Sequence, residues 1–133
     1  MYPYFSLSPA LSHATFYVLL ALSRGELHGY SLKSVAHNDS LGSVPMPDGK
    51  VYQLLKRMLK AKLIEKVGMA PAGQSGKERV HYRITPVGTL CLKEDLARMR
   101  HAVQIGESAG LFDDTTPLDI QRVLVQAGLA DPD

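Results

Sequence analysis

Lys50, Tyr52, Gln53, Lys56 and Lys60 fall in one short stretch and carry the side chains needed to hold and read a polyanion. Lysine brings a full positive charge to a phosphate and also reaches guanine N7 or O6; glutamine pairs two hydrogen bonds with adenine. Tyr52 suits a hydrogen bond to phosphate. Tyr52 and Lys56 are four apart, so on a helix they share a face, which Gln53 and Lys60 flank. Val51, Leu54, Leu55, Met58 and Leu59 make the opposite, buried face, which predicts a helix from about Asp48 to Ala61. Asp48 is the expected N-cap, and Gly49 leaves the backbone bare where first-turn N–H groups favour an anion. Lys50 opposes the helix dipole and so needs a justification outside the helix, such as nucleic-acid contact. The bland counterpart is an ordinary solvated helix face.

Charge is distributed in blocks. Residues 1–49 carry a net −1, residues 50–100 a net +8 and residues 101–133 a net −5. A basic middle between acidic flanks fits a surface for a polyanion, and equally a solvated helical face. The acidic tail from Asp113 onward would repel phosphate and is expected to lie away from the basic surface.

Other chemistries find little support. The five histidines show no metal-ligand or metalloprotease spacing. A single cysteine excludes a disulfide framework and a multi-cysteine zinc site. Cys91 and His101 are ten residues apart on one predicted helix, about 15 Å of rise, too far for a nucleophile–base pair. There is no phosphate loop or dinucleotide fingerprint. The expectation is no enzyme, no cofactor and no metal. The longest apolar run, Phe16 to Leu22, is too short to span a bilayer, and no basic residue precedes it as in a secretory signal. A soluble cytoplasmic protein is expected.

The elements that must position the basic helix follow from pattern and punctuation. Ser8-Pro9 reads as the cap and first position of a first helix that stops at Gly25. A second helix runs from about His28 to His37, with Leu32, Val35 and Ala36 as its apolar stripe. Asn38 to Pro47 is a loop. After the third helix, Leu63–Val67 and Val80–Ile84 read as two strands of a hairpin with a Gly-rich tip. Arg83 faces Glu65 across that hairpin as an expected ion pair. Thr85-Pro86 caps a long helix to about Ala109, and Thr116 caps a last short helix ending at Gly128. The fold class is mainly α with a small β-hairpin: a winged helix-turn-helix over residues 1–85, then a long helix and a short terminal one over 86–133.

Four segments, in this order, carry a family resemblance: Val18-Leu-Leu-Ala-Leu-Ser-Arg-Gly-Glu-Leu-His-Gly-Tyr30; Asp48-Gly-Lys-Val-Tyr52; Leu54, Leu55, Arg57, Met58 and Leu59 through Leu63-Ile64; and Tyr82-Arg-Ile-Thr85 with Gly88. Over about residues 9–106 the chain resembles the PadR family of bacterial transcriptional regulators. It departs at Lys50, where threonine is common in the family, at Ala61-Lys62 in place of Glu-Gly, in having no tryptophan, and in a stretch from about Phe112 that exceeds a minimal member.

The resemblance implies a regulator, most simply a repressor, that binds double-stranded DNA. The third helix would enter the major groove and the hairpin would lie beside it. Gly49, Lys50, Tyr52, Gln53, Lys56 and Lys60 are the expected contacts on the third helix. Lys77 and Arg79 are those of the wing, and Tyr30, Ser31 and Lys33 brace phosphates from the second helix. Leu92, Leu96, Met99 and Val103 step by four, three and four along the long helix, a heptad-like seam for a homodimer reading a palindrome. A small aromatic or lipophilic effector at the dimer core, near Tyr2, Tyr4, Phe5, Phe16 and Tyr17, is a further implication. The rival class is a winged-helix protein-interaction module that does not read DNA. Steep salt dependence separates the two.

Overall fold

The structure, a computed structural model, describes residues 10–70, 79–113 and 117–132. Its elements run α1 (His13–Leu22), β1 (Leu27–His28), α2 (Gly29–Asp39), α3 (Asp48–Lys60), β2 (Ile64–Ala70), β3 (Arg79–Ile84), α4 (Pro86–Ser108) and α5 (Pro117–Gln126). By packing, the chain divides into two compact units, Met1–Ala97 and Arg98–Asp133.

The first unit is built on α1 to α3. Phe16, Val18, Leu19 and Leu22 of α1, Leu32 and Ala36 of α2, and Val51, Leu54, Leu55 and Met58 of α3 form one core. It is completed by Ile64, Tyr82 and Leu92. Val44 and Met46 pin the loop between α2 and α3 into the same core. Ser40 ties that loop further: its hydroxyl donates to the His37 carbonyl and accepts from the Val44 N–H at 3.3 Å. Asp95 is buried, and its carboxylate accepts the Leu11 N–H at 3.2 Å.

Several element ends differ from the sequence expectation. α1 begins at His13, where Ser12 Oγ accepts the Thr15 N–H at 3.2 Å. The cap expected at Ser8-Pro9 lies outside the described residues. The cap of α3 is Pro47, not Asp48, which is instead the first helical residue. Pro47 is extended at ψ 148°, and its carbonyl accepts from the Lys50 and Val51 N–H groups, so the helix starts without a side-chain cap. Beside the expected hairpin stands a third strand, giving the sheet order β1-β3-β2. Leu27 pairs with Tyr82 and His28 with His81. A two-residue strand has no readable period, which hides it in the sequence. The expected pair is present: Glu65 lies opposite Arg83, and Arg83 Nε donates to Glu65 Oε1 at 2.6 Å. The hairpin tip and the Thr116 cap lie outside the described residues.

α3 ends in a Schellman turn. The Leu63 N–H bonds the Met58 carbonyl at 3.0 Å, and the Lys62 N–H bonds Leu59. This places Lys62 at φ +64°, a conformation that glycine adopts at no steric cost. Thr85 then joins the end of α3 to the start of α4. Its hydroxyl donates to the Lys62 carbonyl at 2.6 Å and accepts the Gly88 N–H at 3.0 Å, as the expected cap. Replacing Lys62 with glycine is therefore expected to raise stability by about 0.5–1 kcal/mol. A denaturant midpoint that falls on Lys62→Gly would show that the lysine side chain contributes more than its backbone strain costs.

Candidate nucleic-acid interface

α3 separates its residues cleanly. Val51, Leu54, Leu55 and Met58 are buried, while Gly49, Lys50, Tyr52, Gln53, Lys56 and Lys60 are all exposed. Arg57 is exposed too and was not among the expected contacts. The signal for it was present, because Arg57 lies four residues after Gln53 and seven after Lys50, on the same face. Lys50, Lys56, Arg57 and Lys60 thus put four cations on one solvent-facing surface. An added Cβ on Gly49 would meet nothing within 4 Å, so the first turn is open to an approaching group.

The start of α2 is fastened against α3. A Cβ on Gly29 would lie 3.0 Å from Tyr52 Cε1 and 3.5 Å from Leu55 Cδ1, so glycine lets the Tyr52 ring close on the α2 backbone. His28 caps α2, its Nδ1 accepting the Ser31 N–H at 3.3 Å. The Ser31 hydroxyl also lies 2.9 Å from His28 Nε2. Ser31 is thus committed to the cap as well as being an expected phosphate contact. Tyr30 beside it is exposed, and Lys33 is half-buried. Together these contacts set the opening turn of α2 beside the opening turn of α3.

Behind Tyr52 stands Tyr82 of β3, which is buried. Burial, and secondarily the charge of Tyr52, push the Tyr82 hydroxyl above the ordinary tyrosine value. The unfolded chain then ionises first as pH rises. The stability linked to Tyr82 is complete below the ordinary tyrosine value and is lost as pH climbs through the raised one. Tyr82→Phe is expected to flatten the alkaline fall in denaturant midpoint between neutral pH and about pH 11. Parallel pH profiles for the two proteins would contradict this role. On the neighbouring position, the Glu65 hydrogen bond holds the Arg83 guanidinium more firmly protonated. Arg83 is therefore engaged along the hairpin.

The wing is described from Ile64 to Ala70 and from Arg79 to Ile84, with a register shift between Lys66 and Met69 where Gly68 has φ +50°. Lys77 lies outside the described residues, as does the side chain of Arg79.

The expected dimer seam is partly internal. Leu92 is 4% exposed and belongs to the chain's own core, whereas Leu96, Met99 and Val103 are 40%, 38% and 43% exposed. A heptad spacing marks an apolar stripe without saying which part of it the same chain covers. Phe16 is core and Tyr17 packs against it edge-on with ring centroids 5.1 Å apart. Tyr2, Tyr4 and Phe5 lie outside the described residues. Among the described residues, no group of three His, Cys, Asp or Glu side chains is placed to hold a metal ion, and no helix is long and apolar enough to cross a membrane.

Comparison with known proteins places this geometry. A PadR family transcription regulator from Clostridium difficile superposes with a TM-score of 0.61 at 20% identity, covering 73% of this chain and 97% of that one. A PadR-like transcriptional regulator from Bacillus cereus gives 0.56 at 29% identity, over 75% of this chain and 92% of that one. Bacillus subtilis PadR in complex with operator DNA gives 0.54 at 23% identity, over 70% of this chain and 58% of that longer one. Among curated proteins none matches the chain. The family described as transcriptional regulator PadR-like matches residues 18–94, more than half of the sequence. The chain belongs to the PadR-like family of transcriptional regulators.

Proposed function

We propose that the chain is a sequence-specific DNA-binding repressor that reads a palindromic operator as a homodimer in the cytoplasm. The observation that carries this reading is the exposed face of α3, with four cations and Gln53 opposite a fully buried face. The likeness in fold to Bacillus subtilis PadR, whose structure holds operator DNA, supports it. In this reading Gln53, Lys56, Arg57 and Lys60 reach base edges and nearby phosphates. Gly49, Lys50 and Tyr52 receive a phosphate at the first turn of α3. Tyr30, Ser31 and Lys33 hold the adjacent backbone, and the wing adds Lys77 and Arg79. Residues 1–85 form the DNA-binding part and residues 86–133 the pairing part. Leu96, Met99 and Val103 present the seam, with Leu92 at its inner edge. A small aromatic or lipophilic compound at the paired helices would relieve repression by altering the spacing of the two α3 helices.

The test is selection of genomic fragments with purified protein, followed by footprinting of the enriched site. The reading expects a palindrome with half-sites about one helical turn, roughly 34–36 Å, apart. Equal recovery of all fragments would favour an interaction module in place of a regulator that reads sequence.

A further inference from the structure

α5 carries an apolar stripe at helical spacing: Ile120, Val123, Leu124 and Ala127. Ile120 is 51% exposed and Val123 62%, although α5 belongs to the same compact unit as the end of α4. The chain's own packing therefore leaves this stripe largely bare. Met99 and Val103, in the same unit, are also exposed, and Leu96 continues their line one turn earlier on α4. Two uncovered apolar stripes of similar length thus occur in one chain.

Their borders differ in sign. Residues 109–133 hold five aspartates against the single Arg122. On α4, Lys93 and Arg100, seven residues apart and both exposed, line one edge of the Leu96–Val103 stripe. Pairing two α5 helices would set acid against acid, whereas seating α5 on α4 sets acid against base. The turn between them is built into the sequence. Gly110 at φ +75° closes α4, with the Leu111 N–H bonded to the Gly106 carbonyl at 2.9 Å. Phe112 folds back onto the glycine, where a Cβ on Gly106 would lie 2.9 Å from Phe112 Cε2. The chain thereby leaves α4 at a fixed point.

We propose that α5 is an inter-subunit arm, its Ile120–Val123 stripe seated on the exposed α4 stripe of a second copy of this chain. This rests on the homodimer reading above and names the surface that completes it. Each dimer then has two α4 and two α5 helices in one apolar core, and the acidic tail is held on the pairing side of the molecule, away from the basic face of α3.

Mixed-chain crosslinking tests this. Both chains carry Cys91→Ser; one adds Met99→Cys and the other Val123→Cys, with Val103→Cys and Ile120→Cys as a second pair. Mild oxidation of the mixed protein is expected to give a disulfide-linked species of twice the chain mass for at least one pair, since a disulfide requires Cα atoms within about 7 Å. Val123→Asp is expected to raise the dimer dissociation constant by about 100-fold, because each substitution occurs twice in a two-fold interface, while helical circular dichroism is retained. Closure within one chain carrying both cysteines of a pair, or a dimer in which neither pair links and Val123→Asp changes nothing, would overturn the arm and leave the homodimer standing. A parent chain that sediments as a monomer at all concentrations would overturn the homodimer reading itself, and the arm with it.

Discussion

Replacing Gly88 with alanine is expected to destabilise the protein by about 3 kcal/mol, a large fraction of the stability of a domain of this size. A Cβ at this position would meet the Leu63 carbonyl oxygen at 2.1 Å and its carbon at 3.0 Å, with Ile84 Cγ1 also at 3.0 Å. The obstacle is backbone, so no rotamer change relieves it. That backbone is already in use: the Leu63 carbonyl accepts the Thr85 N–H at 3.1 Å, next to the Thr85–Lys62 bond that joins α3 to α4. Moving it would disturb the end of α3 and the start of α4 together. Thermal unfolding should show the midpoint lowered by roughly 10 °C. Gly49→Ala is the control, since its Cβ would enter open space, and its midpoint should stay level or rise slightly. Equal midpoints for the two variants would contradict the close packing of α4 on the turn after α3.

On the enriched operator, Gln53→Ala and Lys56→Ala are each expected to weaken binding by about 1–3 kcal/mol, roughly five- to 150-fold, but with different signatures. The Gln53 amide offers both a donor and an acceptor, so its loss should relax preference at one base position and leave the others intact. Loss of Lys56 from a phosphate should weaken all sequences alike and reduce the salt slope by about one. Both side chains are exposed on α3, so neither change should lower stability by more than about 0.5 kcal/mol. Measuring affinity on the operator and on single-base variants, at matched stability, separates the two. Unchanged affinity in both proteins would place the DNA contacts somewhere other than this face.

Much of this was legible in the sequence where one physical rule acts alone. The buried and exposed faces of α3 follow from spacing, because its burial is one-sided. Thr85 as the cap of α4 and Gly128 as the end of α5 follow from residue type: Gly128 sits at φ +77°, and the Leu129 N–H bonds the Leu124 carbonyl at 2.8 Å. The ends of α2 and α3 use the same Schellman geometry but place Leu41 (φ +55°) and Lys62 (φ +64°) in the left-handed position. Without glycine there, the sequence carries no stop signal. Asp48 misleads for the opposite reason: it is a good cap by type, but Pro47 already supplies the extended residue and the first accepting carbonyl. Leu92 and Arg57 depend on tertiary context. The first is covered by the core of its own chain, and the second is recognised as part of the basic face only once α3 is seen to expose it.

The most direct test of the central claim, that the basic face of α3 grips DNA phosphates, is the salt dependence of binding to the enriched operator. Neutralising several phosphates predicts that log affinity falls linearly with log salt, by about 0.9 per phosphate contacted, and that the slope becomes shallower for Lys56→Ala. A nearly flat dependence, the same in both proteins, would contradict the account.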